Sequence, residues 1–229
     1  MPHLIWTVTW RDDAAFPDVF RALATPVPML IADGLPAEVG LLLPNRNSQA
    51  AELALAEVVG RLTEPGVVLG LFLANPFLRI GPLVAACRAA GIDWVANLPS
   101  VSQQEPEFAQ QLEDVGLDLG GELKRLDALR SAGLRIAAVA TDAAGACRVA
   151  EMGAECLIVL PRVSDFAVGF PSSRQRGAAI QDIRAALSET AWHGPILGLG
   201  DETEASHPGL WPEGVDGLLV RPRAANSGA

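Results

Sequence analysis

The fold is decided by VVLGLFLANPF (residues 67–77), IDWVANLPSV (92–101) and LRIAAVATD (134–142), three apolar runs within one repeated unit. Each run passes through a polar turn into a helical pattern, and these patterns end at Gly91, Gly133 and Gly153. Apolar runs that alternate with helical patterns predict parallel βαβ units. In such proteins the functional groups lie just after the C-terminal ends of the strands. Here those positions are 75–76, 97–100 and 141–142.

The same pattern extends toward both ends of the chain and gives eight short strands rich in Val, Ile, Leu and Ala. Strands buried on both faces have this composition, with little alternation. Eight parallel strands with outer helices predict an α/β fold, the TIM (β/α)8 barrel. An open doubly wound sheet is the alternative, because periodicity does not show whether the sheet closes. The predicted strands are 4–9, 29–32, 67–73, 94–97, 135–140, 156–160, 196–199 and 217–220, and the predicted helices are 13–24, 49–62, 82–90, 121–132, 143–152 and 177–189.

The barrel is expected to be one domain over residues 1–223, followed by a flexible C-terminal tail at 224–229. The segment DETEASHPGLWPEG (201–214) after the seventh strand is too short and too rich in Pro and Gly for a full helix. Only RPRAANSGA (221–229) follows the eighth strand, so the last helices are reduced or missing. We expect the apolar flank left open, with Trp211 in it, to be covered in a homo-oligomer, most simply a twofold dimer.

Composition excludes several functions. The net charge of -10 at pH 7 argues against general binding to nucleic acid or anionic membranes. Three cysteines without a CxxC pair, and no apolar span of membrane length, predict a soluble, cytoplasmic protein with reduced thiols. Lys124 is the one lysine and falls on the solvent side of its helical pattern, so Schiff-base and pyridoxal-phosphate chemistry are not expected.

Four blocks of the chain carry a resemblance: LFLANPF (71–77), AACRAAGIDWVANLPSV (85–101), FAQQLEDVGLDLGGELKRLDALRSAGLRIAAVATD (108–142) and AEMGAECLIVL (150–160). They resemble the phosphoenolpyruvate-hydrolase-like family of TIM-barrel proteins, also called the TIM-barrel signal transduction family. The resemblance implies a site at the C-terminal ends of the strands for small oxoacids or enolpyruvate-type anions. It also implies a divalent cation such as Mg²⁺ as a possible cofactor, with ligands that the sequence leaves unknown.

Two strand ends carry the family's motif. Asn97-Leu98-Pro99-Ser100 stands where the family has Asn-Phe-Pro-Thr, which implies that Asn97 and Ser100 bind the substrate. The alternative is a loop fixed by Pro99 in which Asn97 caps its own backbone. Asn75 stands where the family has an Asp, so it either binds the substrate or shapes a turn before Pro76. The family's strand-one glycines and strand-six His-Met-Gly are absent from this chain.

Charged residues at other strand ends complete the predicted site. Arg162 and Arg221 could converge on a planar anion, because a guanidinium fork matches a carboxylate or a phosphate. Asp142 and Asp201 are the candidate acid-base or metal-binding groups, the latter with His207 nearby in the chain. For each, a bland role as a helix cap, a surface ion pair or a solvated loop residue is the alternative.

Two functions follow from these residues. The first is a divergent hydrolase or lyase that acts on a small oxoacid or enolpyruvate-type anion. The second, motivated by the lost motif residues, is a catalytically silent barrel that serves as a ligand-binding or regulatory module.

Overall fold

The computed structural model describes residues 4–10, 22–25 and 67–220, with side chains from residue 68. Its eight strands form a closed barrel in chain order, which confirms the TIM barrel and excludes the open sheet. One expectation was wrong: the first strand is antiparallel to both of its neighbours, the second and eighth strands. The other neighbouring strands pair in parallel. A buried apolar run has the same composition in either direction, so the sequence did not reveal this reversal.

The strands and helices alternate as the repeats predict. The strands are β1 (Leu4–Trp10), β2 (Ala22–Thr25), β3 (Val67–Gly70), β4 (Trp94–Ala96), β5 (Arg135–Ala140), β6 (Cys156–Val159), β7 (Ile196–Gly200) and β8 (Gly217–Val220). The helices of the described residues are α1 (Ile80–Ala89), α2 (Pro106–Asp114), α3 (Leu119–Ser131), α4 (Ala143–Glu151), α5 (Ser173–Leu187) and α6 (Glu202–Ser206).

Two differences from the predicted elements stand out. The segment Ala22–Thr25 is a strand, although the sequence placed residues 22–24 at the end of a helix. Helix α2 was not predicted, although Pro106 at its first turn is a helix-start signal. The predicted strand at 29–32, the predicted helix at 49–62, the rest of the helix at 13–24 and the tail at 224–229 lie outside the described residues.

The glycine that closes each repeated unit has a conformation that favours glycine. Gly91, Gly133 and Gly153 follow α1, α3 and α4 with φ of 70°, 91° and 93°. This left-handed backbone conformation is unfavourable for residues with a side chain. It allows the chain to leave the helix and enter the next strand. These glycines therefore fix the helix-to-strand turns at the N-terminal end of the barrel.

Two hydrophobic clusters divide the core. The outer cluster combines residues of the strands with residues of α1, α3, α4 and α5, and it includes Val95, Ile136 and Leu126. The inner cluster consists of strand and strand-end residues with Phe166 against them, so it fills the inside of the barrel. Trp94, Ala96 and Leu98 belong to the inner cluster, whereas Val95 belongs to the outer one. This alternation sets which side chains after β4 face the helices.

The segment between β7 and β8 contains only short helices. Helix α6 has 5 residues, as expected for a reduced helix. Trp211 was expected at an exposed flank, but it is buried and its indole Nε1 donates to the Glu204 carbonyl at 2.7 Å. The three cysteines are free thiols, as predicted. Within the described residues, no helix is both long enough and apolar enough to cross a membrane.

Candidate functional site

The segment after β4 forms a buried polar network around Glu122, a residue of α3. One carboxylate oxygen, Oε1, accepts from Asn97 Nδ2 at 2.5 Å and from Ser100 Oγ at 2.6 Å. The other, Oε2, accepts from the backbone nitrogen of Val101 at 3.0 Å. Asn97, Ser100 and Glu122 are all fully buried. The network ties α3 to the loop after β4.

Asn97 and Ser100 thus come together, but on the helix side of the barrel. Asn97 follows Val95 by two residues, so its side chain shares the outward face of β4. Its Oδ1 accepts from the backbone nitrogen of Val139 in β5 at 2.7 Å. This bond continues the pairing of β4 with β5 beyond the last partners, Ala96 and Ala137. Substrate contact by Asn97 and Ser100 stays a prediction, and in the structure their polar atoms stabilise the loop.

Burial changes the acidity of Glu122. Loss of hydration raises its pKa from 4.5 to about 7, although the hydrogen bonds from Asn97, Ser100 and Val101 act in the opposite direction. The sequence reasoning did not single out this residue. The signal was present, because Glu122, Leu126 and Leu129 recur at helical spacing and all three are buried. An acid on the apolar stripe of a helix needs hydrogen-bond donors, which the strand-end motif provides.

Asp142 and Arg162 form an ion pair at the C-terminal ends of β5 and β6. Arg162 Nη2 donates to Asp142 Oδ2 at 2.8 Å, and both side chains are partly exposed, at 37% and 46%. Asp142 is also the N-cap of α4, where its other oxygen, Oδ1, accepts from the Gly145 backbone nitrogen at 2.8 Å. The predicted acid-base residue therefore has a capping role and a cationic neighbour. Arg221, the second predicted arginine, lies outside the described residues.

Hydrogen bonds join the loops that follow β4, β5 and β6. Thr141 Oγ1 donates to the backbone oxygen of Ser102 at 3.2 Å, which links the β5 end to the β4 loop. The Ser164 backbone nitrogen donates to Glu105 Oε1 at 2.8 Å, which links the β6 loop to the same segment. These contacts place the Asp142–Arg162 pair beside the β4 loop.

Asn75 adopts the turn alternative that the sequence left open. Its Oδ1 accepts from the Phe77 backbone nitrogen at 3.0 Å, a turn two residues long. Phe77 itself is 72% exposed. Substrate binding by Asn75 stays a prediction.

Asp201 caps the short helix α6 and does not join a metal cluster. Its Oδ1 accepts from the Glu204 backbone nitrogen at 2.8 Å, and Glu204 Oε2 accepts from the Asp201 backbone nitrogen at 3.1 Å. Glu204 is buried in an ion pair with Arg176, whose Nη2 lies 2.5 Å from Oε1. His207 Nδ1 contacts the Thr203 carbonyl at 3.0 Å. Asp201 and Glu204 are therefore engaged in local contacts.

Within residues 68–220 the side chains do not form a ready-made set of ligands for a metal ion. Magnesium usually binds to one or two carboxylates together with waters and oxygens of the substrate. No three His, Cys, Asp or Glu side chains within residues 68–220 are grouped so that they could hold a metal ion. Asp142 is paired with an arginine and Asp201 caps a helix, so neither forms part of such a set. No chemical step is assigned to a metal here.

Apolar side chains fill the inside of the barrel toward its C-terminal end. The inner cluster contains three buried leucines at this end. Leu98 follows β4, Leu160 follows β6, and Leu199 lies in the last part of β7. Phe166, in the short helix after β6, packs against this cluster. Polar groups of the described loops are therefore found at the rim of the barrel and on its helix side.

Eight strands close into an α/β barrel in which only the first strand is reversed, and this architecture defines the class of the protein as a TIM barrel. The charged pair Asp142–Arg162 lies at its C-terminal rim. Within that class, residues 32–189 match the phosphoenolpyruvate hydrolase-like family, and the chain belongs to it. The ToMV resistance protein Tm-1(GCR237) of Solanum lycopersicum is 30% identical over 118 residues, which cover 51% of this chain and 16% of that protein. Protein y4oT of Sinorhizobium fredii is 31% identical over 126 residues, covering 55% of this chain and 63% of that protein.

Solved structures agree with the fold. The PaMucR phosphodiesterase, in its c-di-GMP complex, superimposes with a TM-score of 0.51 at 16% sequence identity. The similarity covers 95% of this chain and 87% of that one. At this identity the match supports the barrel architecture alone.

Proposed function

We propose that this protein binds a small oxoacid or enolpyruvate-type anion at the C-terminal rim of the barrel. The observation that carries the proposal is the Asp142–Arg162 pair, which joins the ends of two adjacent strands where TIM barrels bind their ligands. A partly exposed guanidinium can exchange an exposed carboxylate partner for a ligand carboxylate or phosphate at little cost. The family's description points to the same class of anion.

Under this proposal the chemistry is that of a hydrolase or lyase, with Asp142 as the acid-base group. Asp142 is the carboxylate that accepts from the Arg162 guanidinium in the structure, so a ligand held by that guanidinium would lie beside it. Proton transfer requires this kind of hydrogen-bond proximity. Arg221, which follows β8 in the sequence, would add a second cation to the site.

Calorimetry tests the binding. The wild-type protein is titrated with phosphoenolpyruvate, oxalate and pyruvate, with and without magnesium. We expect Arg162→Gln to weaken binding about tenfold or more, since a charge-assisted hydrogen bond contributes roughly 1.5–3 kcal/mol. Absence of heat with all three anions at millimolar concentration would reject the proposal.

A matched control exists at the opposite end of the barrel. Arg135 and Glu155 lie at the N-terminal ends of β5 and β6, with Nη2 and Oε2 2.8 Å apart and exposures of 39% and 45%. This pair has nearly the same separation and exposure as Asp142 and Arg162, while Arg135 also donates through Nε and lies over the Trp94 ring. Arg135→Gln should therefore leave anion binding unchanged, and an equal loss in both variants would indicate a general charge effect.

The second candidate function is a catalytically silent barrel that binds its ligand without converting it. The observation that favours it is the aliphatic filling of the barrel's C-terminal end by Leu98, Leu160 and Leu199. Release of pyruvate or phosphate from phosphoenolpyruvate distinguishes the two functions. Binding with steady release identifies an enzyme, whereas binding without release identifies the silent module.

The assembly is proposed to be a homo-oligomer. Trp211 is not available for the interface, because it is buried within the chain. Exposed apolar side chains remain at Val168 and Leu210, in the segments after β6 and β7. Light scattering at micromolar concentration should give at least twice the chain mass of 24.0 kDa, and a monomer would reject the proposal.

A further inference from the structure

The loop after β4 contains buried amide nitrogens that lack a hydrogen-bond partner among the described residues. They are Nε2 of Gln103 and Nε2 of Gln104. Buried polar atoms in folded proteins are nearly always hydrogen-bonded, so an exception requires an explanation such as a bound ligand or water. Neither glutamine was singled out by the sequence motifs.

The two glutamines differ in the hydrogen bonds of their side chains. Gln103 Oε1 accepts from the Ser100 backbone nitrogen at 3.2 Å, so this amide is part of the capping box of the loop. No side-chain hydrogen bond within residues 68–220 accounts for the amide nitrogen of Gln104, whose exposure is only 4%. Gln104 is therefore the buried glutamine whose side chain is not held by a hydrogen bond among the described residues.

The position of Gln104 relates it to the proposed anion site. In the chain it stands between Ser102, which is bonded to Thr141 after β5, and Glu105, which is bonded to Ser164 after β6. The segment that contains Gln104 is thus held on both sides by bonds to the loops after β5 and β6. These two loops carry Asp142 and Arg162.

We infer that Gln104 is a ligand-binding residue whose amide Nε2 donates to a carboxylate or carbonyl oxygen of the anion whose charge Arg162 binds. The inference rests on the proposed function and narrows its ligand class. The ligand carries two separate oxygen-bearing groups, one for the guanidinium and one for the amide. Oxoacids and enolpyruvate-type anions meet this requirement, and inorganic phosphate alone meets it poorly.

Gln104→Met provides the test, because methionine keeps the length and volume of the side chain and removes the amide. If the amide nitrogen has no partner in the free protein, its removal leaves the melting temperature unchanged or raises it. Binding of phosphoenolpyruvate and oxalate, measured by calorimetry, should weaken about tenfold or more, the value of a hydrogen bond to a charged group. Gln111→Met, at an exposed position of α2, is the control and should change neither quantity.

The possible outcomes separate the two proposals. Unchanged affinity in Gln104→Met, together with a loss in Arg162→Gln, rejects the role of Gln104 and keeps the anion site. A lower melting temperature in Gln104→Met also rejects it, since the amide then has a partner within the free protein. If the wild type binds none of the probes, the proposed function fails, and the inference fails with it.

Discussion

The Ser100 hydroxyl donates to the Glu122 carboxylate at 2.6 Å, and this contact links the strand-end motif of β4 to the buried face of α3. Ser100 also accepts from the Ser102 backbone nitrogen at 3.1 Å, so one side chain both caps the loop and serves the buried acid. The Asn97 and Ser100 side chains, which the sequence associates with substrate binding, thus donate to a carboxylate of the same chain. The conformation of the loop after β4 therefore depends on its hydrogen bonds to Glu122.

The first prediction concerns the pH dependence of stability. Burial raises the pKa of Glu122 from 4.5 to about 7, so between these values the folded protein holds a proton that the unfolded chain releases. This contribution to stability is present below pH 4.5 and is lost as the pH rises through about 7. Its size is on the order of 3 kcal/mol.

Chemical denaturation at pH 5 and pH 8 measures this effect. Glu122→Gln does not titrate, so we expect its unfolding free energy to fall less between the two pH values than that of the wild type. Glu151→Gln, at an exposed position of α4, is the control and should retain the wild-type slope. Equal slopes for wild type and Glu122→Gln would contradict the prediction.

The second prediction concerns Asn97. Asn97→Ala leaves the Val139 backbone nitrogen without its acceptor and removes one donor from Glu122, both in the core. The unfolding free energy should fall by about 2–4 kcal/mol, since each unsatisfied buried group costs roughly 1–3 kcal/mol. Asn75→Ala removes a turn contact at a partly exposed position and should cost less than about 1 kcal/mol. Similar losses in the two variants would show that Asn97 is not a structural anchor.

The third prediction compares a buried ion pair with an exposed one. Glu204 accepts from both terminal nitrogens of Arg176, and both side chains are almost fully buried. Glu204→Gln leaves the arginine without its counter-charge and should cost about 3–5 kcal/mol in urea denaturation. Glu155→Gln breaks the exposed pair with Arg135 and should cost about 0–1 kcal/mol. A small loss in Glu204→Gln would mean that water reaches Arg176.

Seven of the eight strands could be predicted from the sequence, because their apolar runs are flanked by glycines and polar turns, whereas β2 falls in a segment that the sequence assigned to a helix. The direction of β1 could not, since reversal leaves an apolar run unchanged. The orientation of Asn97 was also hidden. Strands buried on both faces show no alternation, so nothing in the sequence indicates which side of the barrel residue 97 faces.

The candidate site divides in the same way. Asp142 and Arg162 were recognised because each is a charged residue two positions after the end of a predicted strand, but their pairing depends on the spacing of adjacent strands in three dimensions. Gln104 carries no local signal of function, and the one signal of Glu122 is its place on the apolar stripe of α3. Gln104 is 4% exposed and Glu122 is fully buried, and a single sequence does not report either fact.

The last prediction separates the two roles of Asp142. Asn is as good an N-cap as Asp, so Asp142→Asn keeps the bond to the Gly145 nitrogen while it removes the charge that pairs with Arg162. An exposed pair is worth about 0.2–1 kcal/mol, so releasing Arg162 should increase affinity for oxalate by roughly 1.5- to 5-fold. Asp142→Ala should increase affinity similarly but lose about 1 kcal/mol of stability with the cap. Glu155→Gln releases Arg135 at the other end of the barrel and should not affect oxalate binding. Calorimetry and denaturation of the three variants check these outcomes, and weaker oxalate binding by Asp142→Asn would contradict the prediction, because the Asp142 charge would then help to hold the ligand.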